Sequence, residues 1–200
     1  NIDDLGSTDE DTKIAALQAF AAACCGMKYD VDDDKLVSEE EAKNLTNTRR
    51  ILNIANVDLK TQEQVISEIT RLGYSKSLEG IRPLTIEGKV VSDADMCDAS
   101  GVNGVIRSVK YNLKHGGEFF NKDVFPSVNL TAKEYKERPV DTTVNHMFEK
   151  ILKLKGLMLT DAGKKEAEER HNVIVNMLYH LFEEENANEW KEYLDNYLDN

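Results

Sequence analysis

Two hundred residues suit one domain, or one domain with an appendage. Forty per cent hydrophobic residues are enough for a real core, and 31% charged residues imply a heavily solvated surface. A net charge of −12 and a pI near 4.8 exclude nucleic acid and anionic membrane as partners unless a local basic patch overrides the field.

Residues 1–10 are acid-rich and read as a solvated end. The chain starts with Asn1 and not Met, so a missing or processed upstream segment is expected. "DEDTKIAALQAFAAACC" predicts a helix with Ile14, Leu17, Ala21 and Cys24 on one stripe and Thr8 or Asp9 as its cap. Three cysteines, two of them adjacent at Cys24 and Cys25, do not form a disulfide framework. They point to the cytoplasm or another reducing intracellular compartment. "DVDDDKLVSEEE" then resembles an EF-hand loop. Asp30, Asp32 and Asp34 take the first three ligand positions, Ser38 the ninth and Glu41 the twelfth. Lys35 stands at the sixth position, where the turn wants glycine. The competing reading is an acidic turn entering a helix, where Glu39 to Glu41 suit the dipole.

"TQEQVISEITRLG" predicts a helix from a cap-like Thr61 to Gly73, with Val65, Ile69 and Leu72 inward. "TIEGKVVSDADMCDASG" predicts a central, buried helix. Ile86, Val90, Val91, Ala94, Cys97 and Val102 are apolar around much of its circumference, yet it carries Asp93, Asp95 and Asp98. Residues three apart share a helix face, and residues two apart diverge by about 200°. Asp95 and Asp98 can act together, then, while Asp93 and Asp95 cannot. Asp95 lies with Val91 and Val102, on the side expected to be buried. A buried carboxylate needs a metal, a cation or a proton. The bland alternatives are an Arg or Lys partner, or capping of the next helix at "DASG".

That next helix runs through Val102, Val105, Ile106, Val109 and Leu113, and "HGG" at 115–117 stops it. Residues 118–140 read as a long loop with a short helix near Ala132 to Lys136. "TTVNHMFEKILKLKGL" predicts one helix with Val144, Met147, Phe148 and Ile151 inward. His146, Glu149, Lys150 and Lys153 fall on its other face, either solvated with a Glu149–Lys153 pair or forming a cationic edge. A further helix from Thr160 carries Ile174, Val175, Leu178, Leu181 and Phe182. On it, His171 reads as a core histidine and His180 as exposed. A last acidic segment presents Trp190, Leu194 and Leu198, to close the core or to dock a partner. Period-two β-branched strings are scarce, and no apolar run approaches membrane-spanning length. The reading is all-α.

"EGKVVSDADMCDASGVNGVIRSVKYNLKHGG" resembles the final metal motif of the HD-domain metal-dependent phosphohydrolases. It is most similar to a subgroup with a "DAD-x-x-DA-x-G" helix, a glycine-containing helix and a Gly-rich turn. "GYSKSLEG" and "TVNHMFEKILKLKGLMLTDAGKKEAEERH" continue the likeness, which covers roughly Arg49 to Phe182. The resemblance implies a single HD-type helical domain over 1–182 with an acidic helical tail over 183–200.

The family chemistry uses a first histidine, an adjacent His-Asp pair and a distant Asp to hold a divalent metal that activates water. By position, the distant Asp is Asp95. The chain departs from the pattern elsewhere. Its histidines are His115, His146, His171 and His180, all after Asp95. Where the His-Asp pair should end an apolar helix stand Cys25 and Gly26. The expectation is a catalytically impaired pseudo-enzyme serving as a binding or assembly subunit, with no cofactor or one weakly held divalent ion. Its ligand would be a protein partner, or a small phosphoester or nucleotide at a cleft of Asp98, His146, Lys150, Lys153 and Arg170. The alternatives are an active metal-dependent phosphohydrolase and a calcium-binding protein acting through residues 30–41. If Asp95 holds no metal, a cation is expected beside it, from Arg49, Arg50, Arg71 or Arg107.

Overall fold

The structure, a computed structural model, describes residues 45–127, 129–131, 133–134 and 141–199. The acidic loop with Asp30, Asp32, Asp34 and Glu41, and the cysteines Cys24 and Cys25, lie outside the described residues. Among the described residues there are helices and no strands, so the all-α reading is borne out. The chain divides into two compact units, residues 1–92 and 93–200.

The described part of the first unit holds α1 (Thr46–Ile54), α2 (Leu59–Ile69), the short α3 (Tyr74–Leu78) and the start of α4 (Ile86–Asp98). Leu52, Val57, Val65 and Ile69 form its core, and Ile51, Leu72 and Val91 pack against them. Helix α2 begins two residues before Thr61. Asp58 is its cap, accepting from the Thr61 backbone N–H at 3.1 Å and from the Thr61 hydroxyl at 2.6 Å. A carboxylate at this position reaches the third helical amide and suits the positive end of the dipole. Glu68, buried on α2, accepts from the backbone N–H groups of Leu84 and Thr85 at 3.0 and 3.1 Å. It thereby anchors the segment leading into α4.

The second unit holds the rest of α4, then α5 (Gly101–Lys114), α6 (Thr143–Glu149), a 3-10 helix (Ile151–Leu157), α7 (Asp161–Glu184) and α8 (Asn188–Leu198). Helix α5 ends at Lys114, and Gly116 takes φ 80°, so the "HGG" stop is borne out. Its inward face is small, with Gly101, Gly104 and Val105 buried. Thr131 and Glu134 form a reciprocal capping box at the start of the expected short helix; Ala132, Tyr135 and Lys136 lie outside the described residues.

The single helix expected over 142–157 is broken. Lys150 leaves helical geometry (φ −136°, ψ −59°), and a 3-10 helix follows. A 3-10 turn puts residues three apart on one edge, which buries Ile151 and Leu154 together while Lys153 is only half-buried. The break also ends the polar face read across it. Glu149 is buried, not solvated, and accepts from the Ser127 N–H at 3.1 Å. The segment 118–127 crosses this face of α6: the Asn145 side chain donates to the Val124 carbonyl at 3.0 Å.

Helix α7 starts where expected, with the Thr160 hydroxyl accepting from Gly163 N–H at 3.0 Å. Ile174, Leu178 and Phe182 bury its inner stripe. The C-terminal α8 closes the core. Trp190 is 1% exposed, and its ring stacks on Phe125 at 4.5 Å and meets Phe120 edge-on at 5.0 Å.

Candidate functional site

Helix α4 places its three aspartates in three different environments. The fully buried one is Asp93, at 3% exposure, and not Asp95 as the apolar pattern predicts. Ile86, Val90 and Ala94 face outward, while Gly88, Ser92, Asp93, Met96 and Cys97 are buried. A helix with apolar residues on most sides does not by itself declare its inner face.

Asp93 needs no ion. Its Oδ1 accepts from the Leu159 N–H at 2.9 Å; its Oδ2 accepts from the Thr160 N–H at 2.8 Å and the Thr160 hydroxyl at 2.7 Å. Thr160 in turn caps α7, so one carboxylate holds the N-terminus of the longest helix among the described residues. Gly163 is part of the fit: a Cβ there would stand 2.3 Å from Asp93 Oδ2. A usable signal lay in the sequence. Asp93, Met96 and Cys97 form an i, i+3, i+4 stripe, and "TDAG" reads as a cap followed by a glycine.

Asp98 points to solvent and is ion-paired with Arg107 of α5; their side chains are 68% and 62% exposed. The bland reading of a carboxylate paired to an arginine applies to this residue. Such a pair contributes about 0–1 kcal/mol.

Asp95 is half-buried. Burial pushes its carboxyl above the ordinary value, the positive charges of Lys150 and then Arg107 pull it down, and Asp98 adds to the rise. Burial outweighs the cations. Of the cations expected beside it, Arg107 is present, whereas Arg49 is ion-paired with Glu63 at 2.7 Å. Lys150, expected at a cleft, is the stronger influence and stands at the break after α6.

The remaining cleft candidates separate. Arg170 braces the backbone: its guanidinium donates to the Cys97 carbonyl at 2.9 Å and to Glu166 at 2.6 Å. Its stem fills the space beside Gly101, whose φ of 62° makes the corner between α4 and α5. His146 and Lys153 are half-buried on the 143–157 segment, and neither is among the charges that act on Asp95.

A divalent metal of the HD type needs imidazole and carboxylate donors converging on one point. Among the described residues no three His, Cys, Asp or Glu side chains gather in that way. Among the described residues, the charged groups that act on Asp95 are two cations and one carboxylate already paired to one of them, and these do not themselves supply a ligand set for a divalent ion.

His171 is half-buried on α7. Burial and then Lys155 push its pKa down, while Glu168 and the Leu152 carbonyl oppose them. Its Nδ1 is buried with no hydrogen-bond partner among the described residues, which disfavours the charged ring in the folded protein. The unfolded chain takes up a proton first, near pH 6.5. Stability contributed by His171 is therefore present above about pH 6.5 and is lost as pH falls toward its depressed folded value. Urea midpoints from pH 7.5 to 5 should fall more steeply for the wild type than for His171→Gln. His180 is exposed, as its helix position predicts.

No protein-family model matches the chain. YpgQ of Bacillus subtilis (strain 168), described as an uncharacterized protein, is 30% identical over 126 residues, 62% of this chain and 53% of that protein. The match thus spans about half the length of that relative. The structure of B. subtilis YpgQ in complex with ADP is 21% identical with a TM-score of 0.53, covering 86% of this chain and 85% of that one. A Lactobacillus plantarum protein is 29% identical, with a TM-score of 0.63 over 90% of this chain and 82% of its own. An HD-superfamily hydrolase from Bacillus thuringiensis is 23% identical, with a TM-score of 0.57 over 90% and 89%. Its helices and these neighbours show that the chain shares its all-helical fold with these structures, an HD-superfamily hydrolase among them.

Proposed function

We propose that this protein is a catalytically silent HD-fold subunit that binds a nucleotide or related small phosphoester without hydrolysing it. The observation that carries this reading is the setting of Asp95. The carboxylate that matches the distant HD aspartate by position lies in the field of Lys150 and Arg107, and residues 1–114 hold no histidine. On this reading no metal is held and no water is activated, and Lys150 and Arg107 are suited to hold a phosphate without transferring it. The ADP complex of YpgQ supports a nucleotide as the ligand class. Among the described residues no helix is long and apolar enough to cross a membrane.

The test is a phosphate-release assay on nucleoside mono-, di- and triphosphates with magnesium, manganese, cobalt or nickel. Release is expected to stay at the level of the metal-only blank. Metal-dependent turnover that disappears in Asp95→Ala would overturn the reading.

A further inference from the structure

We propose that the exposed Tyr111–His115 ring pair at the end of α5 is a platform on which a nucleobase stacks, with Arg107 and Lys114, each one turn from Tyr111, meeting the phosphates of the same nucleotide. This rests on the binding reading above and names where the nucleoside sits.

The composition of α5 and the geometry of the two rings carry the proposal. Residues 101–117 hold Arg107, Lys110 and Lys114 and no Asp or Glu, in a chain of net charge −12. All three cations are exposed, and so are Tyr111, at 62%, and His115. Arg107, Tyr111 and Lys114 stand at i, i+4 and i+7, in one row along the helix. Among the described residues neither Lys110 nor Lys114 has an ion-pair partner. Arg107 pairs with Asp98, but both side chains are more than half exposed, and a pair so solvated is readily exchanged for a phosphate.

The rings stack with centroids 4.0 Å apart and planes 28° from parallel. His115 Nδ1 also donates to the Tyr111 carbonyl at 2.7 Å. The imidazole is thereby held both by its face and by one ring nitrogen, so the platform is ordered before a ligand arrives. A single exposed tyrosine needs no explanation. Here an ordered aromatic pair is bracketed by cations on the one helix that lacks a carboxylate between its start and its stop. A base stacks on such a surface through its π-face, without hydrogen-bond readout. The platform therefore separates a nucleotide from a bare diphosphate, and does not separate adenine from guanine. A stack that only steadied the helix end would alter stability and leave nucleotide affinity untouched.

The experiment is calorimetric titration of ADP, GDP and inorganic pyrophosphate into wild type, Tyr111→Phe, Tyr111→Ala, His115→Ala and Lys114→Met, in EDTA at fixed pH. A urea melt of each confirms that it is folded. Tyr111→Ala and His115→Ala are each expected to weaken ADP and GDP binding about tenfold and to leave pyrophosphate within about twofold of wild type. Tyr111→Phe should retain wild-type affinity for all three, and Lys114→Met should weaken all three together. Unchanged ADP binding by both alanine variants overturns this inference and leaves the nucleotide-binding reading standing. So does a wild type that binds pyrophosphate as tightly as ADP, or an equal loss of ADP and pyrophosphate in the alanine variants. Failure of every folded protein to bind any of the three probes overturns both.

Discussion

Asp93→Ala is expected to lower unfolding free energy by about 3–5 kcal/mol, the range for stranding the partners of a buried charged group. Three donors lose their acceptor at once: the N–H groups of Leu159 and Thr160 and the Thr160 hydroxyl. The site is 3% exposed, so water does not readily replace the carboxylate. The Thr160 cap is loosened as well, and with it the first turn of a 24-residue helix. Asp93→Asn should fall between wild type and alanine, because its one carbonyl oxygen can accept while its amide meets donors. A urea melt of the three proteins decides the matter, and an alanine variant within about 1 kcal/mol of wild type would show that Asp93 does not hold α7. EDTA should not shift the wild-type midpoint, since the donors on Asp93 are protein groups. The comparison separates this anchor from a metal-dependent one on the same helix.

Trp190→Ala is expected to cost a similar amount, about 3–5 kcal/mol, by opening a cavity where the largest buried side chain stood. Its ring is packed by Phe120, Phe125, Phe148, Phe182 and Tyr193, and its Nε1–H donates to the Lys122 carbonyl at 3.0 Å. The tail is fastened a second time by the Tyr197 hydroxyl, which donates to the Phe148 carbonyl at 2.9 Å. A C-terminal helix poised to leave the domain and dock elsewhere would tolerate the substitution with little change in the melt. Trp190 is the chain's one tryptophan. Its emission in the wild type should be blue-shifted and should move red in the same transition that melts the helices.

The helices were legible because their causes are local. Apolar residues recurring every three to four positions define α2, α5 and α7, and short-range chemistry marks their ends. Thr160 before "DAG" and Gly116 after α5 both act within four residues of themselves. Two of the places where local reading misplaced a boundary are instructive. Asp58 outcompetes Thr61 as a cap because its carboxylate accepts from both the amide and the hydroxyl of that threonine. The break at Lys150 follows from burying Ile151 and Leu154 beneath the following turn, a packing demand that the polar and apolar pattern does not announce.

That residues 1–114 hold no histidine is a property of the sequence itself. Which aspartate is buried, which is solvated and which is compensated could come only from the tertiary structure. The donors to Asp93 lie 66 and 67 residues away along the chain, and Lys150 lies 55 positions beyond Asp95. A helix apolar on most sides fixes the spacing of its carboxylates but not the direction they face. That direction is set by whatever packs against it, and here the start of α7 takes the face that carries Asp93 and leaves Asp95 to Lys150 and Arg107.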